Sequence, residues 1–247
     1  HFLVWLDKLL LATPWPIIIA IMAGLAWLGS RSYKIVFGTV LSFLAIGYFG
    51  MWEDTMSTLA IISVATLICI SIGIPLVVLM ARSDLLQKLV TPVLDIMQTI
   101  HAFVYMIPVV MLLGIGKVPG LLAVCIYAMP PIVSLTYLGI RLVEKEALEA
   151  ADAFGASYSQ KLFGVQIPLA LPNIMAGVNQ TIMMSLAMVV IASLVSAPGL
   201  GVLVLRGIRN LELGVGLVSG LGIVLLAVIL DRTTKAALAR VNSTHQM

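Results

Sequence analysis

Stretches without charged residues alternate with short polar segments along the chain. Seven of them are long enough for the about 17–25 residues that a membrane-spanning helix needs, and they cover 9–30, 35–52, 55–81, 96–116, 118–140, 162–205 and 213–230. None shows the period of two that the strands of a membrane barrel require. The pattern therefore predicts an all-α, polytopic membrane protein with about seven transmembrane helices, near 15–30, 35–51, 57–81, 96–115, 119–141, 174–197 and 211–230.

The composition agrees with this prediction. Charged residues make up 10% of the 247 residues and hydrophobic residues 61%, whereas about 25% of an ordinary soluble domain is charged. A soluble fold of this length could not bury so much apolar surface. The net charge of +3 is too small and too scattered for a nucleic-acid module, so we expect no nucleic-acid partner.

Lysine and arginine are distributed unequally between the two ends of the predicted helices. One side holds ten of them, namely Arg31, Lys34, Arg82, Lys88, Arg141, Lys145, Lys161, Arg232, Lys235 and Arg240. The other side holds Lys8, Lys117, Arg206 and Arg209. Because cytoplasmic loops carry the excess of positive charge, we expect the N-terminus of this chain outside and its C-terminus in the cytoplasm. The segment 142–173 is then a cytoplasmic loop.

That loop begins with a segment that favours a short helix. Residues 143–153 are good helix formers with acids in the first turns, which suits the helix dipole. Gly155 is placed to end this helix in a left-handed cap.

A second helix is expected directly afterwards. Ser157 followed by Gln160 predicts a capping box, and Pro168 with Pro172 should break the chain before the next span. The expected product is two short helices that meet at a corner. Such a corner is either a rigid projection for a partner or an amphipathic loop on the membrane.

Motifs of several other kinds of protein are missing from the sequence. No G-x-x-x-x-G-K-[ST] loop is present, so ATP is not bound by that route. The acids lie at or near predicted helix ends, which argues against a proton relay, although unwound backbone carbonyls could still bind Na⁺. Cys69 and Cys125 fall inside predicted spans, and we expect two buried thiols and no metal site.

The loop also contains a motif with a specific spacing. Glu149-Ala150-Ala151, Gly155 and Val165-Gln166-Ile167-Pro168 match the EAA loop of ABC-importer permeases, E-A-A-x3-G-x9-I-x-L-P. Further stretches resemble the permease of the glycine betaine/proline family of ABC importers, and they lie at 97–99, 102–105, 114–120, 130–132, 166–172, 174–181, 188–193, 199–208 and 229–232. The resemblance covers about residues 57–235. Its visible departure is Ile100-His101, where Thr-Pro or a similar pair is expected.

The resemblance implies a type I ABC-importer permease fold and a division of labour between chains. The permease forms a homodimer with the translocation path between its copies, and a substrate-binding protein delivers the osmolyte from outside. Two ATPase subunits hold ATP and Mg, and no cofactor is bound on this chain. The implied organisation is N-terminal peripheral helices at 1–56, a permease core at 57–235 and a cytoplasmic tail at 236–247.

The EAA loop carries the implied ATPase contact. The candidate coupling residues are Glu149, Ala150, Ala151, Gly155, Ser157, Phe163 and Pro168. Their movement would transmit the closure of the ATPase subunits to the spans.

Polar and aromatic side chains inside the predicted spans are the candidates for the translocation path. Polar groups in hydrocarbon tend to face a bundle interior or a cavity, and aromatic faces attract a quaternary ammonium. The candidates are Gln98, His101, Phe103, Tyr105, Tyr127, Asn179 and Gln180. Interhelical hydrogen bonds and ordinary packing are the alternatives, and His101 is either a pH-sensitive gate or a neutral, hydrogen-bonded histidine.

A short external helix is expected at 200–210, after the turn at Gly199-Leu200-Gly201. Arg206 and Arg209 are i,i+3 neighbours there. They are candidates for contact with a binding protein, and lipid headgroups are the alternative. In the last span, the Gly216-x3-Gly220 pair would allow close helix packing.

Together these observations predict the permease subunit of an ATP-driven importer for glycine betaine, proline or a related compatible solute, in the inner membrane. The chain itself is not expected to be an enzyme. An ABC permease for a choline-like amine or an amino acid, an ion-coupled secondary transporter and a membrane scaffold without transport activity are the alternatives.

Overall fold

The computed structural model describes residues 2–30, 32–193 and 197–245, and the regular structure there is entirely helical. The helices are α1 (Phe2–Ala12), α2 (Trp15–Ser30), α3 (Tyr33–Tyr48), α4 (Trp52–Arg82), α5 (Asp84–Thr99), α6 (Ala102–Leu113), α7 (Lys117–Arg141), α8 (Lys145–Ala153), α9 (Tyr158–Lys161), α10 (Ile167–Ala192), α11 (Leu200–Arg209) and α12 (Leu213–His245). A π-helical turn, Leu162–Gln166, joins α9 to α10. The predicted all-α class is confirmed.

Four helices are individually long and apolar enough to cross a membrane: α4, α7, the helix Tyr158–Ala192 formed by α9, the π turn and α10, and the Leu213–Ala236 part of α12. The pairs α1–α2 and α5–α6 meet the same criteria only jointly and are bent by 109° and 102°. The described residues therefore support four to six spans, and the predicted count of seven is too high. The predicted span at 35–51 is the 16-residue helix α3.

The prediction of one uninterrupted helix near 96–115 is wrong. Helix α5 ends at Thr99, Ile100 is extended (φ −72°, ψ 131°) and α6 begins at Ala102. His101 is the N-cap of α6, because its Nδ1 atom accepts a hydrogen bond of 3.4 Å from the Phe103 N–H. Hydropathy does not show this break, since both of its flanks are apolar.

The expected break at Pro168 and Pro172 is also wrong. The helix that starts at Tyr158 continues through both prolines to Ala192. The π turn before Pro168 lets the Ile167 N–H reach the Leu162 carbonyl, so the helix continues past the proline although its ring supplies no N–H. The predicted span at 174–197 thus starts earlier, and its residues 194–196 lie outside the described part.

The centre of the fold is formed by α4, α7 and α10, with α10 packed along α7. Small residues permit this close packing. A Cβ atom on Gly139 would lie 2.6 Å from the Asn173 Cβ, and one on Gly177 would lie 3.3 Å from the Ile132 Cα. Cys69 and Cys125 are buried and free, as predicted, and the Cys69 thiol donates to the Cys125 carbonyl over 3.4 Å.

The N-terminal helices are attached to this centre by a buried charge. Asp7 of α1 accepts hydrogen bonds from the Ser57 hydroxyl and the Lys117 ammonium, each at 2.9 Å. Farther along, Ile18, Phe43 and Met56 pack with Ile229 in a second buried cluster. Residues from α2, α3, α4 and α12 therefore meet in one apolar contact.

Candidate functional site

The loop between α7 and α10 begins with a helix that ends as the sequence predicts. Helix α8 is followed by Gly155 with φ +74°. The Ala156 N–H donates to the Ala151 carbonyl at 3.0 Å and the Gly155 N–H to the Asp152 carbonyl at 2.9 Å. This is the Schellman arrangement, in which a glycine in the left-handed region ends the helix.

The predicted capping box of α9 is also present. The Ser157 N–H donates to the Gln160 side chain at 2.8 Å, and the Ser157 hydroxyl accepts from the Gln160 N–H at 3.4 Å. Lys161 then forms an ion pair of 2.7 Å with Asp152 of α8. The two helices are thus joined by caps on both sides of the corner and by a charge pair across it.

The corner is fixed to the end of α4. The Tyr158 hydroxyl donates to the Ala81 carbonyl at 2.9 Å. The Arg82 guanidinium lies 5.5 Å from the centre of the Tyr158 ring and 3.5 Å from the Ser159 hydroxyl. A displacement of the loop would therefore act directly on α4 as well as on α10.

The outer surface of the loop lacks intramolecular partners for its large apolar side chains. Helix α8 has no buried residue, Phe163 is exposed and Phe154 is 91% exposed. Glu149, Ala150, Gly155 and Ser157 are exposed as well, whereas Ala151 and Pro168 are half-buried. Sequence reasoning missed Phe154, although an aromatic residue directly before a capping glycine outside the lipid was a usable signal.

Most of the predicted path residues gather around the break between α5 and α6. Gln98 donates to the Ser134 hydroxyl at 3.3 Å, and the Tyr105 hydroxyl donates to the Met97 carbonyl at 2.5 Å. The Tyr105 and Tyr127 rings meet edge to face at 6.0 Å. His101 stacks on Phe103 with ring centres 5.7 Å apart and planes 8° apart. The break thus combines two separate aromatic pairs, His101–Phe103 and Tyr105–Tyr127, with two hydrogen bonds between elements.

The other two path candidates point in different directions. Asn179 is half-buried and its amide donates to Asp231 of α12 at 3.3 Å, whereas Gln180 is exposed. Consecutive residues of an α-helix are about 100° apart around its axis, so the two amides do not share a face. Asp231, which also pairs with Lys235 at 2.9 Å, was not among the predicted site residues.

Four hydroxyls on the central helices are buried, and none of them is among the candidate path residues. Those of Thr66, Thr136, Thr181 and Ser185 have no hydrogen-bond partner among the described residues. Single hydroxyl residues in apolar helices are too common for the sequence to single these out. In the described part of the chain, no three His, Cys, Asp or Glu side chains form a group that could hold a metal.

The short helix α11 appears where 200–210 was predicted. Arg206 lies 3.7 Å from Glu212, and both Arg206 and Arg209 are exposed. The turn before the helix is fixed by the Leu200 N–H, which donates to the Thr58 hydroxyl at 2.9 Å.

Of the expected glycine pair in the last span, Gly216 packs closely against another helix and Gly220 does not. A Cβ atom on Gly207 of α11 would lie 2.5 Å from the Gly216 nitrogen, so these two backbones touch, whereas Gly220 faces open space.

Four of the fourteen sorted Lys and Arg residues lie at the ends of the bundle that the sequence predicts. Arg82, Arg141 and Lys161 lie at the end of the bundle that carries the loop. Lys117 starts α7 at the opposite end, beside Asp7. Arg31 lies outside the described residues, and so does the side chain of Arg240.

The fold is shared with a known transporter. A solved structure of the MetNI methionine ABC transporter in inward-facing conformations aligns with a TM-score of 0.68, covering 77% of this chain and 95% of that one. At 20% identity this likeness shows the fold alone. The predicted importer-permease fold is confirmed.

Curated relatives match most of the chain. The glycine betaine/proline betaine transport system permease protein ProW of Escherichia coli (strain K12) is 52% identical over 93% of this chain and 65% of its own length. Its namesake from Salmonella typhimurium is 52% identical, with 61% of its length covered. The chain thus spans less than two thirds of these two relatives. The glycine betaine/carnitine transport permease protein GbuB of Listeria monocytogenes is 45% identical, with 92% of this chain and 81% of its own length covered.

A family model adds an independent match. The model described as binding-protein-dependent transport system inner membrane component matches residues 70–243, which include the capped loop and the central helices α7 and α10. The predicted family resemblance is confirmed by this match together with the relatives. The chain belongs to the family of binding-protein-dependent transport system inner membrane components, and it is a multi-pass membrane protein.

Proposed function

We propose that this chain is the permease subunit of an ATP-driven importer for glycine betaine, proline betaine or a related compatible solute. The capped corner of α8 and α9 carries this proposal. It presents Glu149, Gly155 and the exposed Phe154 on a surface that has no partner within the described residues. Large apolar side chains exposed outside the lipid mark surfaces for protein contact.

The corner is the proposed docking site for an ATPase on another chain. ATP and Mg are bound on that ATPase, so the permease chain itself performs no hydrolysis. Because Lys161 pairs with Asp152 and Tyr158 bonds to α4, the docked corner moves as one body with the ends of α4 and α10. Closure of the ATPase subunits would then change the arrangement of the central helices.

The substrate class follows from the relatives. The solutes in their names are glycine betaine, proline betaine, carnitine and, for a relative 35% identical over 90% of this chain, trimethylamine N-oxide. These compounds share a methylated nitrogen that carries positive charge. Tyr105, Tyr127 and Phe103 near the α5–α6 break offer aromatic faces, which attract such a group.

The remaining assembly is proposed on the same basis. Two copies of this chain enclose the path. That path is lined by Gln98, His101 and the aromatic residues Phe103, Tyr105 and Tyr127. The loop end faces the cytoplasm, because most Lys and Arg residues lie there, and the N-terminus of this chain lies outside. A substrate-binding protein then docks at the opposite end, where Arg206 and Arg209 of α11 are exposed.

One substitution tests the docking site. Phe154→Asp should abolish retention of a P-loop ATPase when the tagged chain is purified from its own membranes, and ATP-dependent glycine betaine uptake should fall at least about tenfold. The retained ATPase is detected by photolabelling with azido-ATP. Leu211→Asp is the matched control for ATPase retention, since Leu211 is an exposed apolar residue at the opposite end with φ +58°, which Asp tolerates. Uptake is not compared in this control, because Leu211 adjoins the proposed binding-protein surface.

Two results would overturn the proposal. One is unchanged retention of the ATPase in Phe154→Asp. The other is uptake that persists after nucleotide depletion and follows an ion gradient, which would indicate a secondary transporter.

A further inference from the structure

A second candidate binding site lies among the N-terminal helices, outside the residues that match the family model. A cavity of about 610 Å³ is enclosed by the turn between α1 and α2, the end of α3 and the start of α4. This volume falls within the range of small-molecule sites. Its lining includes four aromatic side chains, Trp15, Phe43, Tyr48 and Trp52, and no charged residue.

The aromatic rings form a buried wall and an exposed rim. Phe43 is fully buried, and its ring centre lies 6.1 Å from that of Trp52 at an angle of 59°. Tyr48 is 87% exposed, and Trp15 is exposed as well. Ring faces carry negative partial charge, so the accessible rings of Trp15, Tyr48 and Trp52 favour a cation over a neutral group of equal size, whereas the buried Phe43 ring contacts Trp52 and not the ligand.

The lining of the cavity, as the structure describes it, offers no positive charge to an anion. The Thr13 hydroxyl, the side-chain hydroxyl of the α1–α2 turn, donates to the Leu9 carbonyl at 2.6 Å. No lysine or arginine lines the space. Two acids, Glu53 and Asp54, directly follow Trp52 in the first turn of α4, and their negative potential favours a cation at this end of the bundle.

We infer that this cavity binds an alkylammonium group, from a lipid headgroup or from a free solute. The site is separate from the α5–α6 break and goes beyond the proposed transport function. It would let the N-terminal helices respond to a methylated cation at the membrane surface, independently of the path.

The test uses the tryptophans of the cavity as reporters. In a Trp5→Phe/Trp27→Phe background only Trp15 and Trp52 remain. The chain is placed in nanodiscs of phosphatidylglycerol, whose headgroup has no ammonium, and titrated with tetramethylammonium chloride. A saturable change in tryptophan emission is expected, and 2,2-dimethyl-1-propanol, a neutral compound of similar shape, should not produce it.

Two variants localise the signal. Tyr48→Leu should weaken the apparent affinity about fivefold, the loss of one cation–π contact. Phe49→Leu is the matched control, because Phe49 adjoins Tyr48 but does not line the cavity. Since both variants share the same anionic surface, attraction of the cation to the lipid cancels in the comparison.

A second arm identifies the source of the ammonium. Replacing half of the lipid by phosphatidylcholine is compared with replacing half by an uncharged galactolipid, which lowers the surface charge equally but has no ammonium. Weaker tetramethylammonium binding with phosphatidylcholine than with the galactolipid is expected if the headgroup occupies the cavity, and equal binding if a free solute does. The inference is overturned if the neutral compound gives the same saturation, or if Tyr48→Leu binds tetramethylammonium as well as Phe49→Leu does. Either result would make the cavity an ordinary apolar gap.

Discussion

The two ends of the helical bundle are held together in different ways. At the end that carries α8 and α9, the corner's own bonds join residues at most nine positions apart, and the bonds that attach it to α4 across 77 positions are exposed. At the opposite end, Asp7 meets Ser57 and Lys117, and Leu200 meets Thr58, across 50 to 142 positions. The loop end is also exposed, whereas the opposite end is closed by buried groups.

This difference separates the effects of substitution at the two ends. A change in a local, exposed contact alters one turn of helix and the surface that a partner meets. A change in a buried, long-range contact leaves a polar group without its partner or forces two elements apart. We therefore expect losses of folding stability at the opposite end and losses of partner binding at the loop end.

Gly199→Ala should have the largest effect on stability. Gly199 has φ +130°, and a Cβ atom there would overlap the Thr58 hydroxyl that holds the Leu200 N–H. Strain and the lost hydrogen bond should cost on the order of 3 kcal/mol. Thermal unfolding in detergent, followed by tryptophan fluorescence, should show a clearly lower Tm. Gly214→Ala is the control, since no atom lies within 4 Å of its Cβ position; equal Tm values for the two variants would refute the steric argument.

Lys117→Met and Lys161→Met compare one ion pair from each end. Both pairs are shorter than 3 Å, but the Asp7 side chain is 7% exposed and the Asp152 side chain 56%. Removing Lys117 should cost about 2 kcal/mol, between the values for exposed and fully buried pairs, whereas removing Lys161 should cost under about 1 kcal/mol. The same unfolding measurement serves here. A larger loss for Lys161→Met would reverse the comparison between the two ends.

Ser157→Ala should have the smallest effect. Losing an N-cap side chain weakens a helix start by about 1 kcal/mol, and the capping box of α9 is exposed. Hydrogen exchange should become several-fold faster in residues 158–161 while the Tm stays unchanged. Ser159→Thr, which changes a serine inside the same turn but keeps the hydroxyl that Arg82 contacts, should exchange nearly as the parent does. Faster exchange across α10 as well would show that the cap stabilises more than its own turn.

The same contrast explains what the sequence could predict. The Gly155 cap and the Ser157–Gln160 box were predictable because every atom they need lies within a few residues. The Asp7–Lys117 pair was not, since nothing near either residue indicates the other. The turn between α5 and α6 was missed for a different reason. Ile100 and His101 lie between apolar flanks, so the mean hydropathy does not change at the bend.

The candidate site was predicted unevenly for related reasons. The loop residues lie on one exposed corner, as their motif indicates, although their contact with an ATPase stays a prediction. Asn179 and Gln180 are adjacent candidates in the sequence, but helix geometry turns them to different sides. Asp231, the partner of Asn179, is 52 positions away, so its role required the folded arrangement of α10 and α12.

The uninterrupted course from Tyr158 to Ala192 has a mechanical consequence. Its 35 residues make a rod about 50 Å long at 1.5 Å per residue, with the capped corner at one end and the far membrane surface at the other. A continuous helix of this length works as a lever. A tilt of about 5° at the corner would displace the distant end of the helix by about 4 Å over that length. A small movement on one side of the membrane would therefore displace the helix on the other side by about the size of a side chain.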